Sequence, residues 1–285
     1  MMDFLYDLLQ CLVALAAIAV ILVLVLAHVT ATVVDLTRHE KEKSFPTAPD
    51  WKELLPSIHD PASKELSVIV PAYNEELRMP SMLEEAMDYL EKRRKRQPSF
   101  TYEVLVVDDG SSDRTSEVAF QYTNKFGADK VRVLTLVKNR GKGGAVRMDN
   151  MAITCGSRAH LEQDSVAERS MFRTFLMYGF HFLVWFFCVR GIKDTQCGFK
   201  LFTREAALKT FSLLHVERWA FDVELLYIAQ CFKIPIGEVA VNWTEIEGSK
   251  LVPVLSWLQM GRDLVFIRLR YLTGVWRLDS PRKTD

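Results

Sequence analysis

The sequence predicts an α/β fold, a mostly parallel sheet of the nucleotide-binding kind, carried behind one N-terminal membrane helix. Three observations lead there. An uncharged apolar run opens the chain, short β-branched runs then alternate with amphipathic stretches, and each of those runs ends in a polar cluster.

From Leu8 to Val34 there is no Asp, Glu, Lys or Arg, and Cys11–Ala27 is almost continuously aliphatic. About twenty apolar residues cross a bilayer as a helix, so this stretch is long enough. It is too long for a cleaved secretory leader, and no positive segment precedes it. Asp3 and Asp7 come before it, and Arg38, Lys41 and Lys43 after it. The positive-inside rule then puts the bulk of the chain in the cytosol. Residues 1–34 read as the anchor, and the polar, Pro-containing residues 35–65 as a linker.

Leu66–Pro71 (LSVIVP), Tyr102–Val107 (YEVLVV) and Val131–Val137 (VRVLTLV) have the texture of buried strands. Between the first two, Pro80 begins a helical stripe of Met82, Leu83, Ala86, Met87 and Leu90. After the second, Asp113 is placed to cap a helix that buries Val118, Ala119, Tyr122 and Phe126. In parallel sheets ligands bind beyond the carboxyl ends of the strands. Here those ends carry Tyr73-Asn74-Glu75-Glu76, Asp108-Asp109-Gly110 and Lys138-Asn139-Arg140-Gly141-Lys142. Residues 66–150 therefore read as a nucleotide-binding half, 151–250 as a second half, and 251–285 as an amphipathic segment lying against the membrane.

Lys plus Arg and Asp plus Glu both number 36, a balance that argues against nucleic acid as a partner. The basic run Lys92–Arg96 fits a solvated helix end favoured by the helix dipole. The five cysteines are widely spaced and show no zinc-ligand pattern, which agrees with a reducing compartment. The triplet Asn242-Trp243-Thr244 is a glycosylation sequon and points the other way, but such triplets arise often by chance. Met171–Val189 is dense in aromatics, and Pro253–Trp276 mixes Leu and Trp with arginines. Taken alone, each fits packing against the domain as well as it fits a membrane interface. Together, behind an anchor, they favour interface helices.

The motifs Val70-Pro71-Ala72-Tyr73-Asn74-Glu75-Glu76, Val107-Asp108-Asp109-Gly110-Ser111-Ser112-Asp113 and Asn139-Arg140-Gly141-Lys142-Gly143-Gly144 resemble glycosyltransferase family 2. Gly156-Ser157-Arg158, Asp194-Thr195-Gln196-Cys197-Gly198-Phe199-Lys200 and Trp219-Ala220-Phe221-Asp222-Val223-Glu224 narrow the resemblance to its polyprenyl-phosphate branch. The resemblance implies a single GT-A Rossmann-like domain that transfers glucose from UDP-glucose to dolichyl phosphate at the cytosolic face of the endoplasmic reticulum. It implies Pro71, Tyr73, Glu75, Asp108 and Asp109 around uracil and ribose, with Arg140 and Lys142 at the pyrophosphate. Arg158 and Lys200, with Arg204 behind them, would hold the acceptor phosphate. Asp222 and Glu224 would take positioning or electrostatic roles, with a purely structural role left open for one of them. The resemblance thus makes 151–250 the acceptor-binding half. A phosphate monoester is largely dianionic at neutral pH, so it can attack the anomeric carbon without a general base.

One departure stands out. The family's Mg²⁺ or Mn²⁺ is held by an Asp-x-Asp between the Arg-Gly-Lys helix and the Gly-Ser-Arg strand. This chain contains no Asp-x-Asp, and Met148-Asp149-Asn150 runs almost directly into Met151-Ala152-Ile153. Asp149 alone is a poor substitute. A few dozen residues and a central strand are expected to be missing there, the metal ligands with them, and this form is expected to be inactive or nearly so. Two alternatives stay open: a related dolichyl-phosphate transferase using another nucleotide sugar, and a non-catalytic membrane protein that binds UDP.

Overall fold

The computed structural model describes residues 2–31, 39–48, 51–54, 60–137, 151–159, 171–241 and 253–279. The opening run forms one helix, α1 (Met2–Val29), whose stretch Leu9–Val29 is long and apolar enough to cross a bilayer. Its described side chains are exposed almost throughout; Ala27 in the last turn is the buried one. The helix stops short of Val34, where the apolar pattern ends.

Part of the expected linker is built into the domain. A 3₁₀ turn (Glu40–Glu42) leads into a hairpin of β1 (Ser44–Ala48) and β2 (Trp51–Leu54). Glu42 is 1% exposed, and its carboxylate accepts the Val137 N–H at 2.9 Å and the His39 N–H at 3.2 Å. Phe45 is buried beside it, under the Arg132 guanidinium at 4.8 Å.

Strands β3 (Leu66–Ala72), β4 (Tyr102–Asp108) and β5 (Val131–Thr135) form a parallel sheet in the order β3-β4-β5. The register pairs Ala72 with Asp108 and Asp108 with Thr135. Helices α2 (Met79–Arg96) and α3 (Thr115–Phe126) cover one face. There Met79, Leu83, Met87 and Leu90 meet Tyr102, Val104, Val106, Ala119 and Tyr122, while Met82 of the expected stripe turns outward. The opposite face buries Leu105, Val107, Leu134 and Leu136. Val and Ile strands of a parallel sheet are normally buried on both faces. Strand β4 is; β3 is only half-buried along Leu66–Pro71, and no strand among the described residues pairs with its outer edge.

The second half has its own sheet, β6 (Met151–Ser157) between antiparallel β7 (Lys200–Thr203) and parallel β8 (Gly237–Ala240). Around it pack α4 (Met171–Phe187), α5 (Arg204–Phe211), α6 (Phe221–Cys231) and α7 (Pro253–Leu272). Residues Phe221–Ala229 of α6 are buried without a break, making it the central helix of this core. Tyr178, Phe182, Trp185 and Phe186 on α4 and Leu258 on α7 stay exposed. The chain is thus the mixed α/β protein with one apolar N-terminal helix that its pattern predicts, although among the described residues it has two three-stranded sheets and not one.

Removing the Glu42 carboxylate leaves the Val137 N–H without its partner. Glu42→Ala is expected to cost about 1–3 kcal/mol, read as a lowered thermal midpoint in detergent. Glu40→Ala, at an exposed neighbouring position, leaves the midpoint unchanged.

Candidate active site

The parallel register brings the ends of β3 and β4 to one level, and side chains stitch the two following loops together. Asn74 adopts a left-handed backbone (φ 53°), a conformation that Asn tolerates better than most residues. Its N–H donates to Ser111 Oγ at 2.9 Å, and its side-chain oxygen accepts the Ser112 N–H at 2.8 Å. The Glu75 N–H donates to Thr115 Oγ1 at 2.7 Å. The Glu76 N–H donates to Asp113 Oδ2 at 3.3 Å, and the Glu76 carboxylate accepts the Arg114 N–H at 3.0 Å. Asp113 also accepts the Thr115 N–H at 3.0 Å, so it serves the start of α3 as expected, although Arg114 occupies the cap position itself.

The acids at this edge carry defined loads. Asp108 is buried; its carboxylate accepts the Ser111 N–H at 2.9 Å and the Ser116 hydroxyl. Asp109 is buried as well, and its N–H donates to the Ala72 carbonyl at 2.8 Å. The Glu75 carboxylate grips Arg78 through two bonds of 2.7 and 2.6 Å. Tyr73 is 39% exposed and Pro71, near the end of β3, is half-buried, so an aromatic ring and a rigid strand end border this acid-lined edge. Arg140, Lys142 and Asp149 lie outside the described residues, as does the sequon at Asn242.

A second cluster forms at the end of β6. Arg158 holds Asp194 with a two-pronged ion pair, Nε to Oδ2 at 2.7 Å and Nη2 to Oδ1 at 2.9 Å, and its N–H adds a bond of 3.0 Å. Burial alone would raise the Asp194 carboxyl, but the Arg158 side-chain and backbone bonds outweigh it and hold the group below its ordinary 3.8. Lys200 stands opposite Cys155 on the neighbouring strand. Its ammonium donates to the Thr195 and Cys197 carbonyls at 3.1 and 2.7 Å and to Asp222 Oδ1 at 2.6 Å. Lys200 and Asp222 are both 5% exposed, so the lysine's three protons point into protein. Gly156 makes the closeness possible, because a Cβ there would lie 2.9 Å from Val241 and 3.1 Å from both Cys197 and Phe199.

One expectation needs correction. Arg204 does not stand behind Arg158 and Lys200. Thr203 pairs with Met151 at the start of β6 whereas Arg158 follows its end, so their backbones are roughly 20 Å apart along the strand. Arg204 instead donates to the Asp60 carbonyl. Of the two acids on α6, Glu224 is the structural one. It is fully buried and accepts the His215 and Val216 N–H groups at 2.9 and 2.6 Å and the Tyr271 hydroxyl at 2.9 Å. Asp194 stands out in the sequence only as part of a motif; its partnership with Arg158 spans 36 positions and leaves no local signal. Among the described residues no three His, Cys, Asp or Glu side chains converge to hold a metal ion. The described residues therefore offer no ligand set for the family's divalent cation.

The depressed Asp194 carboxyl stabilises the fold above its ordinary range and loses that contribution as pH falls through its lowered value. Asp194→Asn is expected to cost about 2 kcal/mol at pH 7 and to flatten the acid limb of a stability–pH curve below about pH 4. Thermal melts of both proteins between pH 3 and 7 check this.

The family description "Glycosyl transferase family 2" matches residues 67–154, which hold the stitched loops and most of β6. A dolichyl-phosphate beta-glucosyltransferase of Homo sapiens is 63% identical over 95% of this chain and 96% of its own. The protein of the same name from Drosophila melanogaster is 51% identical over 95% of each chain, and that from Saccharomyces cerevisiae 37% over 78% of this chain and 80% of its own. The human alignment runs over 311 positions, yet 95% of 285 residues is only about 271. About forty of its positions are thus filled by the relative and not by this chain; the fruit-fly alignment, with 310, has the same excess. The chain belongs to the dolichyl-phosphate beta-glucosyltransferases of glycosyl transferase family 2.

Proposed function

We propose that this chain is built for the transfer of glucose from UDP-glucose to dolichyl phosphate at the cytosolic face of the endoplasmic reticulum. The observation that carries the reading is the 63% identity to the human enzyme over nearly the whole of both chains. The acid-lined edge after β3 and β4, bordered by Tyr73, suits the base and ribose of a nucleotide. Arg158 with Asp194 and Lys200 with Asp222 suit the phosphate of an anionic lipid, with Asp222 restraining the lysine.

The chemistry needs little from the protein. A dianionic phosphate oxygen forms a bond to the anomeric carbon as the bond from that carbon to the diphosphate oxygen breaks. UDP leaves with the electron pair and no proton moves. Inversion then turns the α-linked sugar into the β-linked product that the relatives' name states. The protein's share is alignment and compensation of charge. Arg158 and Lys200 lower the charge at the acceptor only to the extent that Asp194 and Asp222 release them. Arg38, Lys41 and Lys43 after α1, with Asp3 and Asp7 before it, support the cytosolic orientation.

The same reading holds that this 285-residue form lacks the metal ligands. The missing Asp-x-Asp and the half-buried β3 edge support a gap between Asn150 and Met151, and the number of unfilled alignment positions matches the few dozen residues expected there. In membranes expressing the chain, labelled glucose from UDP-glucose is expected to reach dolichyl phosphate only after that segment is restored, and EDTA then stops it. Metal-dependent product from the unrestored chain would remove the claim of inactivity. Product from neither form would remove the donor and acceptor assignment. UDP binding by the unrestored chain without turnover identifies it as a UDP-binding variant.

A further inference from the structure

Arg270 sits on α7, far along the chain, yet its guanidinium is spent on α1. Nε donates to the Ala27 carbonyl at 3.0 Å, and Nη2 donates to the Thr30 carbonyl at 2.7 Å and to Thr30 Oγ1 at 3.1 Å. The arginine is 8% exposed, lies 4.8 Å from the Trp276 ring and 5.2 Å from Phe266, and meets α1 where Ala27 is buried. The last carbonyls of a helix lack partners within the helix, and the negative end of its dipole favours a cation there. At this end the backbone already tightens, with the Ala31 N–H turning to His28, which leaves Ala27 for the arginine. A fork of fixed donors suits two carbonyls and a hydroxyl better than a single ammonium does.

We propose that Arg270 is a positioning residue: it clamps the end of the membrane helix to the domain, so that anchor and domain move as one body. This rests on reading α1 as the membrane anchor. Over its apolar length α1 offers exposed side chains to lipid, and its packing against the domain is through α7 at its last turn. Without the clamp, the end of α1 loses the three hydrogen bonds that fix it to α7. With it, the exposed rings of α4, which packs on α7, keep a fixed angle to the bilayer. An acceptor whose phosphate is confined to the headgroup plane demands such an angle.

The test uses the full chain in phosphatidylcholine vesicles, labelled with a maleimide dye at Cys231, which is exposed at the end of α6; Cys11 lies within the span. Time-resolved anisotropy reads whether the domain swivels on its anchor. The unaltered chain is expected to retain high residual anisotropy, Arg270→Gln to lose it, and Arg270→Lys to fall between. Ala27→Phe attacks the clamp from the anchor side and leaves the domain core untouched; it is expected to lose residual anisotropy at an unchanged thermal midpoint. Residual anisotropy that survives both Arg270→Gln and Ala27→Phe overturns the clamp, as does its absence from the unaltered chain. If the unaltered chain fails to float with vesicles, the anchor reading falls and the clamp with it, an outcome distinct from a floating chain that swivels.

Discussion

Strand β4 is hydrogen-bonded on both edges and buried on both faces, and the first half of the domain is arranged around it. Ala72 and Thr135 both take their height from Asp108, the last residue of β4. That shared level is why the loops after β3 and β4 can exchange so many bonds between Asn74, Glu75, Glu76 and Ser111–Thr115. An acid at the end of a buried strand would be costly if nothing compensated it. Asp108 is compensated by the turn that follows it, so the same bonds that shape the loop also keep the charge in place.

The second half answers the same problem with ion pairs. Arg158 and Lys200 each face a carboxylate, and the four groups together carry no net charge. For Lys200 and Asp222, both buried, loss of either member strands the other's charge, so these residues hold the fold whatever chemistry they also serve. Glu224 is an instructive neighbour. It belongs to the same sequence motif as Asp222, yet it ties loop 215–216 to α6 and to Tyr271, beneath a stack of His215 on Trp276 at 4.1 Å. Two positions along a helix turn a side chain to another face.

What the sequence shows well is what repeats locally. The β-branched strands, the stripe of Leu83, Met87 and Leu90, and the apolar run of α1 have a period, and each lies where its period puts it. What it hides is every interaction between distant positions. Arg158 and Asp194 are 36 residues apart, Glu42 and Val137 are 95, and Arg270 and Thr30 are 240. No periodicity reports such pairs, and so residues 39–48 read as linker although Glu42 and Phe45 are core. Arg204 misleads for the opposite reason. It is close to Lys200 in sequence, but an intervening strand carries it to the far end of the sheet. The two acids at Asp108 and Asp109 are legible because a strand end is a local feature.

The contact between Arg270 and the end of α1 also has a place in time. Synthesis runs from the N-terminus, so α1 is complete before any of the domain exists, and its partner arrives about 240 residues later. At some 5–20 residues per second that interval is roughly 12–50 s. Through it the growing chain has α1 but not α7, and the contact between them cannot form. Closure of that contact therefore joins the first described helix of the chain to the last.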